Sequence, residues 1–100
     1  MFIGIGRFEL YIPASASLKD KRHVVRSVVT VVSNKFKVAI AEVDHHDLWQ
    51  RSAIGVSCVA SSVGHCRRIL QEIEKTIART ATDGAEIVDR SVRIVAMDDL

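Results

Sequence analysis

Val24-Val25-Arg26-Ser27-Val28-Val29-Thr30-Val31-Val32 is the stretch on which the fold turns. Six of these residues are valine, a side chain that favours strands. A half-buried strand needs strict alternation. Here the valines fall in adjacent pairs that recur three to four residues apart, which is the spacing of one helix face. Leu18, Val25, Val28, Val29, Val32 and Phe36 extend that face in both directions. Ser17 stands where an N-cap belongs, with Asp20 three residues on as a weaker capping box. Asn34 is a stop signal. The spacing therefore predicts a helix over Leu18 to Asn34.

Strands flank this helix. Upstream, Phe2, Phe8, Leu10 and Ile12 share one parity, with Gly4 and Gly6 leaving room there for close packing. Ile3, Ile5, Arg7, Glu9 and Tyr11 share the other, so the strand is half exposed. Pro13 to Ala16 breaks it. Downstream, Lys37 to Asp44 and Gln50 to Ala60 read as two strands joined by the polar turn His45-His46-Asp47, a hairpin. Ser61 or Ser62 caps a second helix. Its stripe is Val63, Cys66, Ile69, Leu70, Ile73 and Ile77, running through Ala78. Asp83-Gly84 is a turn. Glu86 to Met97 is a last strand, with Val88, Val92, Ile94 and Ala96 in step. The order strand, helix, strand, strand, helix, strand, with right-handed crossovers, predicts a ferredoxin-like βαββαβ α+β fold. It has a four-stranded antiparallel sheet with both helices on one face. The opposite face stays bare and is expected to carry Ile3, Ile5, Arg7, Glu9, Tyr11, Glu42, Arg51 and Arg93.

The chain has 100 residues, 48% of them hydrophobic and 26% charged. That suits a single globular domain over residues 1–100 and leaves no room for a deep cleft walled by several layers. No apolar run approaches the roughly 20 residues that span a bilayer, so no membrane partner is expected. The first ten residues read as a strand and not as a secretion signal. A cytoplasmic location is expected. Cys58 and Cys66 lack metal-ligand spacing and sit in apolar patterns, which suits two buried thiols in a reducing compartment.

Charge is unevenly placed. Ser17 to Lys37 holds six basic residues and one acid, a net of +5, while the remainder, with eight basic and eleven acidic residues, is −3. Cations at a helix N-terminus oppose the macrodipole at a cost of about 0.3–1 kcal/mol each. A cluster there points either to an anion, such as a phosphate backbone, or to a solvated helix face. Lys19, Lys21, Arg22 and Arg26 are the candidate phosphate contacts. Four neutralised phosphates give a salt slope of about −3 to −4. Trp49 and Arg51 are secondary contacts beside the hairpin turn. Trp49 otherwise caps the edge of the core.

The stretch Glu42 to Arg51 gathers carboxylates and imidazoles. A metal needs three or four converging ligands, and neighbouring strand residues point to opposite faces. A hydrogen-bonded turn is the simpler reading, and neither a metal nor a cofactor is expected. No nucleophile with an activating partner and no glycine-rich phosphate loop accompanies the histidines, so no enzyme is expected. The central strands also lack the paired aromatics with which this fold reads single-stranded RNA on its sheet.

Ser17-Leu18-Lys19-Asp20-Lys21-Arg22, the valine-rich helix, and Ala41-Glu42-Val43-Asp44-His45-His46-Asp47-Leu48-Trp49-Gln50-Arg51 together resemble the YlxP-like family of small bacterial proteins of unknown function. The first strand, Gly4 to Pro13, fits as well. The resemblance implies a ferredoxin-like fold. It also implies a gene often found near those for translation initiation factor two and ribosome-binding factor A. It implies no catalytic residues.

Two functions follow as expectations. The first is an RNA- or ribosome-associated accessory protein acting through the basic helix. The second is an interaction module that homodimerises or docks a partner through Ile3, Ile5 and Tyr11 on the bare face. A metal-dependent enzyme using His45, His46 and Asp47 is a distant third.

Overall fold

The computed structural model describes residues 1–81 and 85–100. The expected Asp83-Gly84 turn lies outside the described residues. The elements are β1 (Phe2–Tyr11), α1 (Leu18–Lys35), β2 (Ala39–Asp44), β3 (Arg51–Ala60), α2 (Val63–Thr80) and β4 (Glu86–Ala96), closed by a short 3-10 turn at Met97–Asp99. The valine-rich stretch is helical. Its first turn is fixed by the side chain of Ser17, which accepts from the Asp20 N–H at 3.1 Å. Asp20 returns the bond by accepting from the Ala16 N–H at 3.0 Å. Ser62 caps α2 in the same way through the His65 N–H.

The sheet order is β2-β3-β1-β4, with every neighbouring pair antiparallel. Phe8 and Leu10 of β1, Ile54 and Val56 of β3, Val28 and Val32 of α1, and Leu70, Ile73 and Ile77 of α2 form one buried cluster. Both helices therefore cover the same sheet face. Gly4 lets α2 come close. A Cβ there would meet Cys58 Sγ at 2.8 Å and Leu70 Cδ1 at 3.0 Å. The two free thiols lie in this layer. Burial, then the neighbouring Cys66 thiol, pushes the Cys58 thiol above its ordinary range.

The registers correct two expectations. In β4 a bulge falls opposite Glu9 and Leu10, so that Ile87 pairs with Leu10 and Asp89 with Glu9. Val88 is the extra residue and is exposed, and Ile87 takes its place on the helix side. In β2, Glu42 pairs with Ile54 and so faces the helices instead of the bare face. It shares the parity of Val38 and Ile40, which both pack against the core. No helix among the described residues is long and apolar enough to cross a membrane.

Candidate nucleic-acid interface

The first turn of α1 and the turn after β2 are tied together by one side chain. Lys21 is completely buried. Its ammonium has three protons, and three acceptors lie in reach. It donates to the His45 carbonyl at 2.6 Å and the His46 carbonyl at 3.0 Å. Glu42 Oε2 stands 3.1 Å away. Ser52 Oγ donates to the same Glu42 oxygen at 2.7 Å. Lys21 is thus a strut and not a phosphate contact, which corrects the sequence reading. Its position explains this, since residue 21 falls four residues before Val25 and seven before Val28 on the apolar stripe of α1.

The backbone at His45 shows what the strut holds. Its φ is 63°, a left-handed conformation that costs a non-glycine residue roughly 1–2 kcal/mol. The Asp44 carboxylate accepts from the His45 N–H at 2.8 Å, and Leu48 N–H donates to the His45 carbonyl at 3.1 Å. The far end of the turn is strapped to the segment before α1. Ile12 N–H donates to the Gln50 carbonyl at 2.8 Å. The Gln50 amide donates to the carbonyls of Pro13 and Ser15 at 3.1 and 3.3 Å.

The two histidines diverge. His45 Nε2 donates to Glu9 Oε1 at 3.2 Å on the bare face, whereas His46 Nε2 donates to the Glu42 carbonyl at 3.2 Å. No three of the His, Cys, Asp and Glu side chains converge as a metal cluster among the described residues. On the bare face, Glu9 also accepts from Arg7 at 3.1 Å and from Arg51 at 2.7 Å. Arg7 reaches Asp44 at 3.2 Å. The His45 hydrogen bond, and after it that of Arg51, holds the Glu9 carboxyl below its ordinary range. The His45 backbone N–H does the same for Asp44.

Of the expected RNA contacts, Lys19, Arg22 and Arg26 remain exposed on α1. Their spacing of three and four residues places them along one face. Lys19 shares a hollow of about 440 Å³ with Ile12, Ala14, Ser15, Asp20, His23 and Val24. Arg51 is elsewhere: it belongs to the bare face, opposite the helices, and is bound to Glu9. At the N-terminus of α1 the Asp20 N–H is already taken by the Ser17 hydroxyl, and the Asp20 carboxylate takes the Ala16 N–H just before the cap. Trp49 does not cap the core. It is 56% exposed beside an exposed Leu48. Ile5 and Tyr11 are exposed on the bare face, with Ile3 partly so. Sequence reasoning missed the Lys21–Glu42 pair, although both charges sit on apolar parities facing one another.

A family model described as a protein of unknown function, DUF503, matches residues 3–92. The chain belongs to the DUF503 family. A DUF503-like relative, the uncharacterised protein YlxP of Bacillus subtilis (strain 168), is 40% identical, and the match spans 78% of this chain and 96% of that protein. Among solved structures, a de novo designed protein with a ferredoxin fold, determined by solution NMR, superimposes with a TM-score of 0.59 at 15% identity. That match covers 93% of this chain and 85% of the designed one. The likeness is one of fold alone. It places this DUF503 chain in the ferredoxin-like class that its element order predicts.

Proposed function

We propose that the protein is a non-enzymatic, cytoplasmic accessory factor that binds structured RNA or a ribosomal subunit through the exposed cations of α1. One observation carries this reading. Arg7, Lys21, Arg51, Lys75 and Arg90 each have a carboxylate partner. Lys19, Arg22 and Arg26 make no ion pair among the described residues; Lys35, Lys37, Arg67, Arg68, Arg79 and Arg93 make none either, and what sets the three apart is that they stand at spacings of three and four in the first half of one helix. Unpaired cations in line on one helix match the electrostatic footprint of phosphate binding. The gene neighbourhood implied by the family resemblance agrees with a target in translation.

With Lys21 withdrawn, three cations remain. We expect log K for a structured RNA to fall with log salt at a slope of about −2 to −3. An Arg22→Glu/Arg26→Glu variant should bind far more weakly with a flatter slope. Equal binding by the parent and this variant would overturn the proposal.

A second reading rests on the bare face. Ile5, Val43 and Val59 are exposed there beside Ile3, and uncovered apolar surface of this kind suits a partner. In this reading the module homodimerises across that face. Sedimentation equilibrium tests it: a dimer weakened by Ile5→Glu is expected, and a monomer at high micromolar concentration speaks against it.

A further inference from the structure

We propose that the outer edge of β4 is an interaction surface for a second copy of this chain. Two β4 strands pair antiparallel about a two-fold axis at Ser91, joining the two four-stranded sheets into one continuous sheet. This edge is distinct from the α1 cations and from the bare face, so the proposal goes beyond both readings above.

Two unpartnered charges on one strand carry it. β4 ends the order β2-β3-β1-β4, so among the described residues one side of it has no neighbouring strand. Residues 88–93 are exposed throughout. Asp89 and Arg93 lie on the bare face, opposite Glu9 and Ile5 of β1. Neither makes an ion pair among the described residues. Asp89 accepts only the Arg90 backbone N–H, at 2.9 Å, and it faces the like charge of Glu9. Four residues of strand separate Asp89 from Arg93 by about 13 Å, too far to meet within one chain. Each stands two residues from Ser91. An antiparallel copy centred there sets Asp89 against the partner's Arg93 and Arg93 against the partner's Asp89. Charge also selects this register over its neighbours. Centring on Asp89, Arg90 or Arg93 sets like charges face to face, which destabilises a strand pair. Centring on Val92 leaves Asp89 opposite Val95 and Arg93 opposite Ser91.

The helix side of the edge suits the same register. Val92 pairs with Gly6 and shares its helix-facing parity, yet it is 48% exposed. It lines a hollow of about 260 Å³ with Arg67, Leu70, Gln71, Glu74 and Arg90. In the pairing centred on Ser91, Val92 lies opposite the partner's Arg90. Glu74 holds the Arg90 guanidinium at 2.7 and 2.8 Å, which leaves the hydrocarbon stem to cover the valine. The bulge at Val88 ends the regular strand and limits the seam to residues 89–93. Exposed edges are ordinarily blunted by lysine, proline or short length. β4 runs for eleven residues with neither lysine nor proline. The opposite edge differs. β2 has six residues, a register shift between Glu42 and Asp44, and only acidic charges. A copy of β2 set against it brings no opposite charge.

Sedimentation equilibrium of the whole chain reads the association directly. We expect the parent to dimerise. Asp89→Arg alone, or Arg93→Asp alone, sets like charges opposite one another twice across the axis. Each should weaken the dimer by about tenfold or more. Asp89→Arg/Arg93→Asp exchanges the two charges and should restore it. An equimolar mixture of the two single variants should form a mixed dimer that neither forms with itself. Both positions are exposed, and an unaltered circular dichroism spectrum confirms that the fold is intact. Ile5→Glu, which tests the bare-face dimer, should leave this one unchanged. A parent that stays monomeric at high micromolar concentration overturns the inference. So does a dimer indifferent to both single charge reversals, and its loss on Ile5→Glu would assign the association to the bare face instead. None of these outcomes bears on phosphate binding by α1, so the two proposals fail separately.

Discussion

Lys21 brings a full charge into the layer between α1 and the sheet, and nearly everything distinctive about the end of the molecule depends on it. A buried ammonium is tolerable only when it is paired and fully hydrogen-bonded. Here Glu42 and the two turn carbonyls meet that condition. Removing the ammonium leaves Glu42 without its counter-charge and two carbonyls without a donor. We expect Lys21→Met to destabilise the fold by about 3–5 kcal/mol, the range for breaking a buried pair, as read by urea denaturation. Arg22→Glu, one residue away, should be close to neutral. It is exposed, and an acid early in a helix favours the macrodipole. A Lys21→Glu variant would therefore report on folding and say nothing of binding. The distinction was available in the sequence. Residue 21 lies on the valine stripe and residue 42 on the apolar parity of β2, so two opposite charges were headed for one interior. Reading Lys21 by the company of Lys19 and Arg22 obscured its helical phase. Gly4 is the converse case, where the pattern was enough. Two glycines on a core-facing strand parity marked a close approach, and α2 makes it. Gly4→Ala should cost about 1–3 kcal/mol, typical of overpacking.

Among the elements, the two helices and four strands were legible because their periodicities are strong and their caps are ordinary. The bulges were not, because a bulge is a property of two strands in register and leaves no mark in either strand alone. That is why Val88 points outward and Ile87 inward. The turn between β2 and β3 was legible as a turn but not as a device. Its histidines suggested metal chemistry, yet the working groups are their backbone carbonyls. The charges above this turn also give the sheet a pH dependence. Glu9 and Asp44 are held below their ordinary range, so they stabilise the fold above the unfolded-state values of about 4. That contribution is lost as pH falls through their folded values. We expect Glu9→Gln to be less stable than the parent at neutral pH. The gap between them should narrow as the solution is made acid, when urea midpoints are followed against pH.

For the whole molecule, the fold has two unlike sides. The bare face carries a knot of charges that satisfy one another, around Glu9, beside an apolar strip at Ile3, Ile5 and Val59. The first half of α1 carries Lys19, Arg22 and Arg26, which make no ion pair among the described residues, as Arg93 on the bare face makes none. A small net charge of +2 conceals this division, which only charge placement along the sequence made visible. The functional claim rests on that asymmetry. Its most direct test is co-sedimentation with purified small and large ribosomal subunits across a salt series, with Arg22→Glu/Arg26→Glu alongside. We expect saturable binding by the parent that weakens steeply with salt, and loss of binding by the variant although it stays folded. Undiminished binding by the variant, or no binding by the parent at any salt, would contradict the account and bring the bare sheet face forward as the working surface.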